Sequence, residues 1–445
     1  MGARPSRSLC SASRRTAGVA DSTNRLVRRG ECSRLVGGTP TRAVATTAIP
    51  SFNCVVPAKS GAGISSRASQ REISQGPPRN NLLRPAFICG FVLRVKISAR
   101  RFDLKLAHRW AIASSVRPGG SGGTEVYNVV FAELTDESRT TGHGEAAPSS
   151  RYEESADSTL AFLEHIDPRR LSFSDVPGSM NYLDLLAPKN FAAKCAVNIA
   201  LLDGAARRAG KPIYDHLGLG FTENKHVTSF SIGIAKPEAI RQKVLEADPY
   251  PVLKLKVGGP DDQHNLAALR EAAPRKPVRV DANEAWKTKE EALRRIEWLA
   301  ADGHVQFIEQ PMPATADPKD LAWLKARAPL PIMADESYLS AKDLDRCGEC
   351  YHAVNVKLVK TGGISAACEA LQAARKAGLK TMIGCMIESS LLITAGAHLA
   401  ELADYLDIDG NLLITNDPYL GATAEQGVIS FAKTPAKTGL RVAAR

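Results

Sequence analysis

Pro251-Val-Leu-Lys-Leu-Lys-Val257 places two lysines among alternating aliphatic residues. Successive side chains of a β-strand point to opposite faces, so Lys254 and Lys256 share one face while Leu253, Leu255 and Val257 share the other. The apolar face suits helices packed outside a barrel, and the lysines then point into its centre. Further charged residues recur at the ends of later apolar segments. Asp281, Glu309, Asp335 and Lys357 follow Lys256 at intervals of 25, 28, 26 and 22 residues, and Asp407 and Asp409 lie beyond a gap that leaves room for one more strand. Each interval fits one strand, one loop and one helix, and (β/α) barrels collect their reactive groups at the carboxyl ends of the strands. The same parity turns Asn355 and Lys357 inward, with Val354, Val356 and Leu358 outward. It also turns Asp407 and Asp409 inward, with Leu406 and Ile408 outward.

Working outward, strands are predicted at 228–234, 252–257, 278–280, 307–308, 332–334, 353–358, 381–383 and 405–408. Amphipathic helices such as 289–301 and 365–377 lie between them. Upstream, 91–97 and 126–134 read as strands separated by the glycine-rich stretch Arg117-Pro-Gly-Gly-Ser-Gly-Gly-Thr124. Helical patterning over 152–209 stops at Gly210. Strands followed by helices in one block predict a separate α+β domain ahead of the barrel.

The chain has 445 residues, 44% of them hydrophobic and 24% charged, the balance of an ordinary globular protein. It has no run of about 18 apolar residues, the length that a membrane-spanning helix requires, so no membrane partner is expected. The net charge of +11 is confined to residues 1–85, where 13 arginines and one lysine face three acids. Residues 86–445 are therefore neutral, and no basic groove for nucleic acid is expected. The arginine-, serine- and glycine-rich composition of 1–85 reads either as a targeting segment for organellar import or as an extension without a function of its own. The expected location is otherwise cytoplasmic. Nine cysteines are scattered, and only Cys347 and Cys350 form a CxxC. With no second pair to complete a zinc site, reduced thiols are expected.

Asp281, Glu309 and Asp335 fall on three successive strands. One such acid alone reads as a solvated loop residue or a helix cap, but three side by side repel one another unless a cation joins them. All-oxygen ligands select a hard ion such as Mg²⁺. Lys256 and Lys357 come from strands on either side of this trio. A second cation about 4 Å away disfavours an ammonium by roughly 4 kcal/mol at an effective dielectric near 20, which is expected to draw one lysine toward the range of a general base. A base on each face of a metal-held carboxylate points to 1,1-proton transfer: one lysine removes the α-proton, the metal stabilises the enediolate, and the other lysine returns a proton to the opposite face.

Lys254-Leu-Lys256, Asp281-Ala-Asn283, Glu309-Gln-Pro311, Asp335-Glu-Ser337 and Asn355-Val-Lys357 followed by Gly362-Gly363 resemble the enolase superfamily, in its muconate lactonizing enzyme subgroup. The resemblance runs from about residue 92 to 420 and includes Gly142-His-Gly-Glu-Ala146 and Leu201-Leu-Asp-Gly204. It implies a modified TIM barrel, (β/α)₇β, over residues 221–414. An α+β capping domain would span 89–220, completed by 415–445, and residues 1–88 would be a basic extension. It further implies Lys256 and Lys357 as the acid/base pair and Asp281, Glu309 and Asp335 as Mg²⁺ ligands. Lys254 would neutralise the substrate carboxylate or tune Lys256. Lys360 competes for the second base, but strand parity puts it on the outward face with Val356 and Leu358. Family members assemble into dimers or larger rings, so a homo-oligomer is expected.

Asp407-Ile-Asp409-Gly resembles the Asp-x-Asp of dipeptide epimerases, the L-Ala-D/L-Glu type included, whose acids hold a free α-ammonium. An anionic acyl group would be repelled there. Met382-Ile-Gly-Cys-Met-Ile-Glu-Ser-Ser390 resembles the seventh strand, with Met386 and Ser389 expected to line the pocket and Arg117 to reach the substrate from the capping loop. This stretch has no terminal histidine, unlike the mandelate racemase branch. The expected activity is Mg²⁺-dependent epimerisation of a dipeptide at the α-carbon of its C-terminal residue. The alternatives are o-succinylbenzoate synthase, N-succinylamino acid racemase and muconate cycloisomerase.

Overall fold

The computed structural model describes residues 95–115 and 122–445. Three antiparallel strands come first: β1 (Lys96–Trp110), β2 (Thr124–Thr135) and β3 (Thr141–Ala146), in the order β1-β2-β3. β1 runs to Trp110, well past the predicted end at residue 97, and 91–94 lie outside the described residues. Most of its side chains are exposed, so pairing with β2 rather than burial of one face holds it. The helices α1 (Ala156–Glu164), α2 (Val176–Leu186), α3 (Phe191–Arg208) and the short α4 (Ile213–His216) follow.

α3 is buried from Ala192 to Ala206 because it lies directly against β3. A Cβ at Gly142 would come 1.9 Å from Ala200 O, and one at Gly144 would come 1.8 Å from Ala196 O. Only glycines allow this approach, which accounts for the Gly-His-Gly spacing. Asp203, on the same helix, accepts from His143 N at 3.0 Å and from Leu440 N at 2.6 Å. The end of the chain is thereby fastened to α3.

The second sheet has eight parallel strands in sequence order: β4 (Phe230–Ile232), β5 (Leu253–Lys256), β6 (Val278–Asp281), β7 (Val305–Glu309), β8 (Ile332–Ala334), β9 (Ala353–Lys357), β10 (Lys380–Gly384) and β11 (Tyr405–Asp407). The helices between them are α5 (Pro237–Glu246), α6 (Asp262–Ala272), α7 (Lys289–Ala300), α8 (Pro318–Lys325), α9 (Leu344–Cys350), the single turn α10 (Leu358–Thr361), α11 (Ile364–Lys376) and α12 (Ser390–Ala397). A parallel bridge between Thr228 and Leu406, with Ser229 N donating to Leu406 O at 3.1 Å, joins the last strand to the first. The sheet is thus a barrel of the modified TIM type. Its core strands are short and buried on both faces, as parallel strands covered by helices should be. Cys347 and Cys350 are free, buried thiols on α9. Among the described residues, no helix is long and apolar enough to cross a membrane.

After the barrel, β12 (Tyr419–Leu420) pairs with β15 (Ala443–Ala444), and β13 (Thr423–Glu425) pairs with β14 (Val428–Ser430). Lys105 N of β1 donates to Asn416 Oδ1 at 2.7 Å, so this segment also holds the first sheet.

Glu145 of β3 joins the two sheets. Its buried carboxylate accepts from Ser389 N at 2.9 Å, Ser389 Oγ at 2.5 Å and Leu392 N at 3.1 Å, at the amino end of α12. Removing it leaves three buried donors unmatched, so Glu145→Ala is expected to destabilise the protein by on the order of 3 kcal/mol. Chemical denaturation of the variant against the parent measures this.

Candidate active site

In-register pairing aligns the carboxyl ends of the strands. Lys256 stands opposite Asp281, Asp281 opposite Glu309, and Gly384 between Lys357 and Asp407. Asp335 follows the last residue of β8. Carboxylate oxygens of Asp281, Glu309 and Asp335 lie within 4.8 Å of one another, all buried. Lys256 Nζ lies 2.6 Å from Asp281 on one side of this trio, and Lys357 Nζ lies 3.0 Å from Asp335 on the other. A cavity of about 460 Å³ reaches both lysines, Lys254, Asp407, Asp409 and Met386.

The trio fits a hard divalent cation. Burial and the neighbouring Asp281 push the Glu309 carboxyl up to about 7, and burial with Asp335 pushes Glu336 up to about 8. Glu309 Oε2 and Asp335 Oδ2 face ammonium groups at 2.7 and 3.0 Å without an aligned hydrogen bond, and Glu336 Oε2 has no partner. Crowded, buried oxygens of this kind are what such a cation satisfies. Asn355 Nδ2 donates to Glu309 Oε1 at 2.8 Å and fixes its direction. A Cβ at Gly384 would come 2.5 Å from Asn355 Oδ1, so the glycine in β10 makes room for that side chain.

The lysines differ from expectation in two ways. Burial pulls the Lys357 ammonium down, but Asp335 outweighs it and holds the pKa well above the usual lysine value. Burial likewise opposes Lys254, yet Asp407, Glu309 and Asp281 raise it well above. Ion pairing with the acids, rather than repulsion between cations, governs both in this structure. Lys360 does not face outward. β9 ends at Lys357, the chain turns into α10, and strand parity lapses. Lys360 Nζ therefore reaches Asp335 Oδ1 and Asp335 O at 2.6 Å and Asn355 O at 3.0 Å. It ties Asp335 in place and does not line the cavity.

Lys254 Nζ sits among carboxylates, 2.6 Å from Asp407, 2.7 Å from Glu309 and 3.1 Å from Asp281. Asp407 also accepts from Ser229 Oγ at 2.6 Å, and Asp409 accepts from Ser231 N at 2.6 Å and Ser231 Oγ at 3.3 Å. Burial raises Asp407, but Lys254 outweighs it and lowers the carboxyl to about 2. Burial and Asp407 push Asp409 up to about 7. This end of the cavity therefore carries negative charge that Lys254 only partly offsets.

Met386 lines the cavity, whereas Ser389 is turned away to Glu145 and caps α12. Arg117 lies outside the described residues. Four contributors escaped the sequence reading: Ser229, Ser231, Glu336 and Gln310. Gln310 Oε1 accepts from Asp335 N at 2.9 Å and Ser337 N at 3.1 Å, locking the turn that carries Asp335. It does so at a φ of 35°, beside Asn283 at 41° and Glu284 at 65°, a cluster of left-handed backbone typical of functional loops. The adjacency of Gln310 to Glu309 was the available signal.

A model of the enolase C-terminal domain-like family matches residues 238–418. An L-Ala-D/L-amino acid epimerase of Pedosphaera parvula is 67% identical over 343 residues, 77% of this chain and 98% of its own. A dipeptide epimerase of Enterococcus faecalis, solved with Mg and L-Leu-L-Tyr, superposes with a TM-score of 0.71 at 29% identity, covering 79% of this chain and 100% of that one. A substrate complex of the L-Ala-D/L-Glu epimerase of Bacillus subtilis gives 0.72 at 28%, covering 79% and 99%. The barrel, the carboxylate trio and these similarities agree: the chain belongs to the enolase superfamily.

Proposed function

We propose that this chain is a Mg²⁺-dependent dipeptide epimerase acting at the α-carbon of the C-terminal residue, with Lys256 and Lys357 as its two bases. The observation that carries this reading is the placement of the two ammonium groups on either side of the trio Asp281, Glu309 and Asp335. Those three carboxylates would hold the cation, which supplies positive charge to the substrate carboxylate and so acidifies the adjacent C–H. One lysine, as the free amine, takes the α-proton from its face; the other, as the ammonium, donates a proton to the opposite face. The configuration inverts, and the two lysines exchange protonation states. Lys254 shields the substrate carboxylate from Asp407.

Asp407 and Asp409 would receive the free α-ammonium of the first residue. The raised pKa of Asp409 supports this, because a substrate cation relieves the repulsion it suffers from Asp407. Residues 89–220 with 415–445 are read as the cap and 221–414 as the catalytic barrel, working as a homo-oligomer.

The test is solvent deuterium exchange at the C-terminal α-carbon across a dipeptide library with Mg²⁺ present; a complete lack of exchange would sink the reading. Asp409→Asn is expected to raise KM for free dipeptides roughly 10- to 100-fold, the worth of one hydrogen bond to a charged group, while turnover of an N-acylated substrate does not fall. The opposite pattern favours an N-succinylamino acid racemase.

A further inference from the structure

We propose that the indole of Trp110 limits the size of the dipeptide's first residue by walling off a second cavity beside the ammonium site. A space of about 210 Å³ lies behind this wall, lined by Leu106, Phe230, Gly233 and Leu412, with Lys243 and the paired His108 and Glu246 among its polar groups. Trp110, Ser231 and Leu413 line both this space and the cavity that holds the lysines. Ser231 also donates to Asp409. The partition therefore stands beside the carboxylate that receives the substrate's α-ammonium, and the first residue's side chain branches only two bonds from that nitrogen.

Gly233 is what lets the ring lie there. A Cβ at this position would come within 3.1 Å of Trp110 Cε3 and 3.3 Å of Cζ3. With the indole in place, the first side chain meets a wall. Without it, the apolar space beyond accepts several more carbons, each adding affinity by the usual hydrophobic increment.

This inference rests on the dipeptide reading, and the experiment separates the two. Exchange rates are measured for the parent protein and for Trp110→Ala and Trp110→Leu, with Ala-, Leu- and Phe-first dipeptides sharing one C-terminal residue. The parent is expected to favour the Ala-first substrate. Trp110→Ala is expected to shift the ratio of kcat/KM toward the bulky substrates by roughly 10- to 200-fold, the range set by a few methylenes in an apolar pocket. Trp110→Leu, which keeps the wall apolar and partly filled, gives a smaller shift and remains informative if the alanine variant misfolds. Adding Gly233→Val to Trp110→Ala refills the space and returns the preference toward alanine. A parent that exchanges Leu- or Phe-first dipeptides as well as Ala-first ones overturns the proposal, as does an unchanged ratio in both variants. No exchange by the parent with any dipeptide removes the reading beneath it instead, and the proposal with it.

Discussion

Lys357→Ala is expected to abolish epimerisation, with a fall of roughly 10³-fold in kcat, as for loss of a general acid or base. Proton exchange is expected to survive for one stereoisomer only. Lys256 remains on its own side of the trio, so it can still abstract and return the α-proton of whichever epimer presents that proton to it, with retention. Mass and chirality analysis in D₂O distinguishes this from general collapse: label enters one epimer without inversion, and the other stays unlabelled. Lys256→Ala should give the mirror pattern. Equal loss of exchange from both epimers would overturn the two-base assignment. Lys360→Met is the contrast. Its ammonium touches Asp335 and two backbone carbonyls rather than the cavity, so its removal should lower thermal stability while leaving neither epimer favoured in the exchange that remains.

The second large effect concerns the cation. Chelation by EDTA is expected to stop turnover completely and Mg²⁺ to restore it. Glu309→Gln is expected to weaken Mg²⁺ binding roughly 100-fold or more by calorimetry, since even partners outside the direct ligand set are worth 10- to 100-fold. The same substitution removes one of three mutually repelling buried charges. Without metal, the variant should therefore melt at a higher temperature than the parent at pH 8, where the parent's Glu309, pushed up to about 7, is ionised. With saturating Mg²⁺ the order should reverse. Unaltered affinity in Glu309→Gln would mean that the trio is not the ligand set.

Much of this arrangement was legible because it is periodic. Barrel strands alternate, and their charged ends recur at nearly constant intervals, so Lys256, Asp281, Glu309, Asp335 and Lys357 could be placed from spacing and parity. Parity failed where its premise failed. Lys360 lies beyond the last strand residue, in a helical turn, and swings back onto Asp335. Ser389 was expected in the pocket because its stretch resembles the family's seventh strand, but the start of α12 turns it to Glu145. β1 was cut short because an exposed ribbon held by its partner need not alternate. Ser229 and Ser231 act on carboxylates brought from a distant strand, and local sequence carries no trace of such partners; Gln310 acts on the backbone of the Asp335 turn, and only its adjacency to Glu309 marked it. Weighing cation against cation for the lysine pKa left out the buried Asp335, which holds Lys357 above the usual value.

Asp203 has a consequence for biosynthesis. Its carboxylate stands on α3, yet one of its hydrogen-bond partners is Leu440, 237 residues later. Chains emerge from the ribosome amino end first, and long-range closures come late in folding. α3 is therefore synthesised long before Leu440, one of the donors to its buried carboxylate, becomes available. A chain interrupted just before Leu440 would carry every lysine and carboxylate of the site, yet its Asp203 would lack that donor. The last contact to this buried carboxylate is thus made only after the whole active-site sequence, through Asp409, has been synthesised.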